Sequence, residues 1–118
     1  GSRVFEVKGR RSGHPRRTPV NLLRLDGAEY LVAARGQTEW VRNVRAAGGR
    51  AELLKGRRRQ PIRVEEMADA DKPAVLRAYL ERWKFEVGMF FEGVGPDSTD
   101  AELAAIAGRH PVFRLVPA

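Results

Sequence analysis

The 118-residue chain contains no cysteine and only two histidines, His14 and His110, far apart in sequence. No disulfide framework and no thiolate metal site can be built from this inventory, and two isolated imidazoles do not make a ligand cluster. Long apolar runs are missing too: no stretch of 18 or more apolar residues occurs, and the start GSRVFEV lacks the apolar core of a signal peptide. A protein of the cytoplasm is expected, with any membrane attachment left to a segment outside this sequence. Gly1 and Ser2 read as the remnant of a cleaved tag. Repeats and low-complexity linkers are absent as well, so the length and the 42% apolar content fit a single domain over residues 1–118 with one modest core.

Positive charge is what the chain does have. The net charge is +7, and 18 of the 22 basic residues are arginine. Residues 1–63 carry 16 Lys and Arg against 5 Asp and Glu, whereas residues 64–118 carry 6 against 10. The basic surface is therefore expected in the first half, and the planar guanidinium suits phosphate and carboxylate recognition.

The chain opens with a short strand over Val4 to Val7 that ends at Lys8-Gly9. An apolar stretch, Arg16 to Leu25, predicts a buried strand, and Asp26-Gly27 turns it into a returning strand, Ala28 to Ala34, with Tyr30 and Val32 on one face and Leu31 and Ala33 on the other. Thr38 is placed to cap a helix from Glu39 to Ala47, with Trp40, Val41 and Val44 as its apolar stripe and Gly48-Gly49 as its stop. A second hairpin pairs Ala51–Leu54 with Gln60–Met67, in which Pro61 marks an edge or a bulge. Asp71 and Pro73 open an amphipathic helix carrying Val75, Leu76, Tyr79, Leu80 and Trp83, read as core. Phe85 to Phe91 fits neither period. Thr99 and Glu102 form a capping box for a short helix to Ala107, and a last strand follows over Val112 to Val116. Six short strands with inserted helices predict an α+β fold, a closed or half-closed antiparallel barrel with flanking helices.

The candidate site is the turn Gly9 to Pro19, GRRSGHPRRTP, which holds Arg10, Arg11, Arg16 and Arg17 within eight residues. Several guanidinium groups and exposed backbone N–H groups around one concavity hold anions; a solvated hairpin end is the bland alternative. Arg57, Arg58 and Arg59 form a second basic run, read as a solvated hairpin tip, and His14 and His110 are read as an exposed turn residue and a structural one. No nucleophile, base and acid can be assembled from these residues, so covalent and hydrolytic catalysis have no support, which fits cofactor-borne chemistry.

Taken in order, GRRSG-x-PR-x-TP, the Asp-Gly hairpin, a glycine loop, Trp40 with Asn43 on a helix, and a terminal Pro-Val-Phe strand resemble the deazaflavin-dependent nitroreductase family. The likeness covers residues 5–55 and, more faintly, 110–117. It implies a small six-stranded antiparallel split β-barrel that uses the 8-hydroxy-5-deazaflavin coenzyme F420. By that match Arg11, Ser12, Gly13, Arg16, Arg17, Thr18 and Pro19 hold the phosphate and acidic tail. Ala34, Arg35 and Gly36 give backbone contacts to the ring, with Trp40, read first as core, at its border. Thr38 stands where the family has a proline, and Phe90 and Phe91 occupy the stretch where some members place paired tyrosines over the substrate. Met89, Phe90 and Phe91 are the candidate groove for an apolar or quinone-like acceptor, and Asn43 is read as a tie between its helix and a neighbouring loop. The expected function is hydride transfer from reduced F420, with a homodimer as the expected assembly. Alternatives are a flavin mononucleotide reductase, a cofactor- or lipid-binding protein without turnover, and, third, a basic nucleic-acid-binding domain, which lacks any helix-turn-helix pattern or aromatic interleaving to support it.

Overall fold

The computed structural model describes residues 2–118. Seven strands form one curled antiparallel sheet: β1 Ser2–Lys8, β2 Pro15–Asn21, β3 Leu23–Leu25, β4 Ala28–Val32, β5 Arg50–Lys55, β6 Arg58–Glu66 and β7 Val112–Pro117. Their order is β2-β1-β5-β6-β7-β4-β3. Three helices, α1 Glu39–Ala46, α2 Pro73–Val87 and α3 Asp100–Ile106, complete an α+β half-barrel.

The seventh strand comes from the stretch expected to be a single strand, Arg16 to Leu25. β2 pairs with β1, setting Phe5 against Thr18, while β3 pairs with β4, setting Leu23 against Tyr30. The chain changes partners at Leu22 and so joins the two edges of the sheet, a bend that no glycine or proline at that point announces. Asp26 and Gly27 both take positive φ, 50° and 80°, between the paired Leu25 and Ala28, which is the two-residue turn that the Asp-Gly dipeptide predicts. At Pro61 the outer ladder has already ended, since β7 reaches β6 only as far as Ile62, so the missing N–H costs no sheet bond there.

The apolar residues divide into two clusters on opposite faces of the sheet rather than forming one core. Phe5, Val7, Leu31, Ala33, Leu53 and Phe113 fill the concave face, and Val41 and Val44 of α1 plug it. Tyr30, Val32 and Val112 face the other way and are covered by Val75, Leu76, Tyr79 and Leu80 of α2 and by Leu103 of α3. The alternation in β4 assigns Tyr30 and Val32 to one cluster and Leu31 and Ala33 to the other. Thr99 and Glu102 make the expected reciprocal capping box, with bonds of 2.9 and 3.1 Å. Helix α2 departs from helical geometry at Trp83 (φ −124°, ψ 19°) and continues past Val87 as a 3₁₀ turn over Gly88–Phe90, which resolves the stretch that fits neither period. Among the described residues no helix is long and apolar enough to cross a membrane.

Candidate functional site

The arginine turn is anchored before it can bind anything. Asn43, buried on the inner side of α1, accepts two hydrogen bonds through Oδ1, from the backbone N–H of Arg10 at 3.1 Å and from its guanidinium at 2.8 Å. The same guanidinium pairs with Glu39 at 2.8 Å, and this bond holds the Glu39 carboxyl below the usual carboxylate range. Asn43 thus ties α1 to the turn, as expected.

Strand parity then sorts the remaining arginines. Gly9 N–H bonds to His14 O at 2.8 Å, so in the register that sets Lys8 against Pro15 the hydrogen-bonded pairs of β1 and β2 are those of Val7 with Arg16, Phe5 with Thr18 and Arg3 with Val20. Phe5 and Val7 belong to the concave core, so Arg16, Thr18 and Val20 share that face. Arg17 faces the opposite way with Glu6. It binds Glu6 at 2.8 Å, Arg59 binds the other Glu6 oxygen at 2.7 Å, and Arg59 also reaches Glu52 at 3.1 Å. The bond from Arg17, then that from Arg59, holds the Glu6 carboxyl below its ordinary range. Arg17 is therefore placed away from the other candidates, and Arg59, expected at a solvated tip, is the far arm of an ion-pair network on the convex face.

Arg11 and Arg16 have no carboxylate partner among the described residues. Together with Gly9, Ser12, Thr18 and Trp40 they line a cavity of about 310 Å³. Ser12 Oγ accepts from His14 N–H at 3.1 Å, which keeps its hydroxyl proton for another acceptor. Gly13, at φ 76°, forms the exposed tip of the turn outside this cavity.

A larger cavity of about 670 Å³ adjoins the first, sharing Thr18, Glu39 and Trp40 with it. Its walls are the free edge of β2 at Pro19 to Asn21, the end of β4 running into Ala34 and Arg35, and Tyr79, Val87 and Phe90 from the region of α2. Trp40 stands between the two cavities, held by Phe5 and Phe113 at ring separations of 5.4 and 5.6 Å, so it is both core and border. Phe90 carries the Arg35 guanidinium 5.0 Å above its ring. The rest of the expected acceptor groove disperses: Met89 is 74% exposed and outside the cavity, while Phe91 is buried and stacks on His110 at 4.0 Å. Gly36 is also withdrawn. It is buried at φ 86°, its N–H bonds to Ala33 O at 3.0 Å, and a Cβ there would stand 3.0 Å from Arg109 O. His110 supports the loop from below through a 3.0 Å bond between Nδ1 and Ala34 O, and burial pushes its imidazole below the ordinary value.

Among the described residues three polar groups around the larger cavity lack partners, two of them backbone donors and one a hydroxyl sealed from solvent. Thr38 occupies the cap position of α1 with extended backbone, yet its hydroxyl makes no cap bond and Oγ1 is buried without a partner. The N–H of Arg35 makes no backbone bond, and β2 offers the outward N–H of Asn21 along its unpaired edge. A flat heteroaromatic ring with acceptors on its rim would satisfy the two backbone donors, and an anionic tail would satisfy Arg11, Arg16 and Ser12. The residues present fit a cofactor of that construction.

Comparison with known families agrees. The F420H(2)-dependent quinone reductase model matches residues 2–86. The chain belongs to that family. It is accordingly an oxidoreductase of the deazaflavin class, with F420 as its cofactor. Comparison with curated proteins returns no match. Among solved structures the chain is similar to an F420-H2 dependent reductase at 18% identity, covering 98% of this chain and 93% of that one with a TM-score of 0.61. A protein described as a domain-swapped dimer gives 17% identity, 98% and 79% coverage and a TM-score of 0.65. A FAD-binding protein from Mesorhizobium loti gives 14% identity, 99% and 80% coverage and a TM-score of 0.59. At these identities the likeness speaks for the fold.

Proposed function

We propose that this F420H(2)-dependent quinone reductase family member binds the anionic tail of reduced F420 at Arg11, Ser12 and Arg16, lays the ring in the larger cavity, and passes hydride to a small quinone-like acceptor. The observation that carries the reading is the pair of unpartnered guanidinium groups at the mouth of a cavity that runs past Trp40 into an apolar-walled one. Bound there, F420 supplies the hydride. The chain's own residues do the rest. Arg11 and Arg16 fix the tail by charged hydrogen bonds, the Arg35 N–H and the β2 edge orient the ring, and Val20, Trp40, Val87 and Phe90 exclude water. Pro19 borders the ring side, and Arg17 and Gly13 serve the turn's conformation rather than the ligand.

The test is a fluorescence titration of the protein with F420, followed by reoxidation of the reduced cofactor with menadione. Binding with enzyme-dependent turnover supports the reading. Binding without turnover across quinones and enones would instead leave a cofactor-binding protein, and preferential binding of flavin mononucleotide would reassign the ring cavity. We further propose a homodimer, as in the solved neighbour described as a dimer; a monomer mass in light scattering would refute it.

A further inference from the structure

Tyr79 was expected only as core, and its ring does pack there, at 5.2 Å from Trp83 and 6.1 Å from Phe91. Yet the residue, 5% exposed, also lines the larger cavity. Its hydroxyl has no hydrogen-bond partner among the described residues, whereas a buried tyrosine ordinarily finds one. Nor is Oη sealed inside the core: among the described residues Thr38 Oγ1 is the wholly buried side-chain atom left without a partner. Oη therefore keeps some accessible surface, on a residue that lines this cavity.

We propose that Tyr79 is a catalytic hydrogen-bond donor, its hydroxyl binding the acceptor's carbonyl oxygen, which becomes an oxyanion as hydride arrives. The inference rests on the reductase reading above. In the step, two electrons and one hydrogen nucleus pass from the reduced cofactor to the quinone, the cofactor is oxidised, and the quinone becomes a hydroquinone monoanion. The second proton comes from water. Tyr79 keeps its own, because burial first, and the Glu86 carboxylate second, push its phenol up to about 12, above the range of a hydroquinone. It thus remains a donor throughout the working range. The other charged groups lining the cavity are Arg35, Glu39 and Glu86. Arg35, held over Phe90, is the cation available to the same oxyanion, while the two carboxylates oppose it. A neutral donor placed where charge develops stabilises the transition state more than the ground state.

The test is Tyr79→Phe, which keeps the ring and the packing, with thermal unfolding to confirm the fold. 1-Naphthol serves as a stand-in for the oxyanion, titrated into the protein without cofactor at a pH above its own ionisation and below that of Tyr79. The parent should bind the naphtholate about 10- to 100-fold more tightly than Tyr79→Phe, the range of a charged hydrogen bond. Un-ionised naphthol should bind the two alike. With menadione, kcat should fall by a similar factor while the affinity for F420 is unchanged. Equal naphtholate affinities, or a parent that binds none, overturn the assignment. Failure of F420 to bind the parent would sink the reductase reading instead, and the naphtholate comparison still decides the role of Tyr79.

Discussion

Replacing Asn43 by alanine tests whether the arginine turn depends on α1 for its position. The substitution removes the acceptor for two hydrogen bonds, one from the Arg10 backbone N–H and one from its guanidinium. A neutral bond contributes about 1 kcal/mol and a charged one about 1.5 to 3 kcal/mol. The guanidinium keeps Glu39, and its side chain is only 19% exposed, so water recovers part of its loss and little of the backbone's. The expected destabilisation is therefore about 2 to 3 kcal/mol, which in a domain of this size lowers Tm by about 6 to 15 °C. Asn43→Asp retains the acceptor and faces a guanidinium, so it should stay within about 1 kcal/mol of the parent. Urea unfolding followed by the fluorescence of Trp40 and Trp83 reads both variants. A loss below about 0.5 kcal/mol for the alanine variant, or equal losses for the two, would refute the argument that Oδ1 is the tie.

Arg11→Ala and Arg16→Ala should each weaken F420 binding by about 1.5 to 3 kcal/mol. Arg17→Ala, on the convex face with Glu6, should leave binding within about 0.5 kcal/mol of the parent; an equal loss there breaks the parity argument. Because burial holds His110 below the ordinary imidazole value, the unfolded chain takes up that proton first: stability is full above about pH 6.5 and declines as pH falls from there toward the folded value. In His110→Asn that decline, measured by urea midpoints, should shrink, and an unchanged pH slope would show that another group is responsible. Gly49→Ala should cost at least about 2 kcal/mol, since φ is 85° there and a Cβ would stand 2.3 Å from Val64 O; a variant of parent Tm would contradict this.

Local signals were the legible ones. Asp26-Gly27 and the box of Thr99 with Glu102 act within four residues of themselves, and the stripe of Val41 and Val44 needs only helical spacing. The same holds for the two faces of β4. What stayed hidden depends on partners distant in sequence. Arg59 meets Glu6 across 53 positions, which no reading of the Arg57 to Arg59 run reveals. The partner change at Leu22 interrupts an apolar stretch with no glycine or proline at the change itself. At the site, residue type singled out the turn but not the roles within it. Once β1 and β2 are paired, alternation from Phe5 and Val7 separates Arg16 and Thr18 from Arg17, a signal present in the sequence but usable only with the register. Tyr79 was missed for a different reason. Helical spacing identifies its ring as core, and spacing says nothing of where a hydroxyl at the ring's far end comes out.

The larger cavity exists because a hairpin fails to close. β3 and β4 pair from the Asp26-Gly27 turn as far as Leu23 and Tyr30, and the same register continued would set Asn21 against Val32 and Pro19 against Ala34. Instead β2 leans to β1 and β4 leans to β7, and the space between them is walled by those four residues among others. Pro19 helps hold the gap open. Its parity turns its nitrogen outward, toward the strand it would otherwise join, and proline has no N–H to donate there; Pro15 does the same nearer the turn. The missing donor of Pro19 thus favours the split of the sheet. The unpaired edge it leaves, with the outward N–H of Asn21, runs along the ring cavity while the next residues of the same strand, Thr18 and Arg16, carry the wall into the anion cavity. One strand therefore lines both halves of the proposed ligand site.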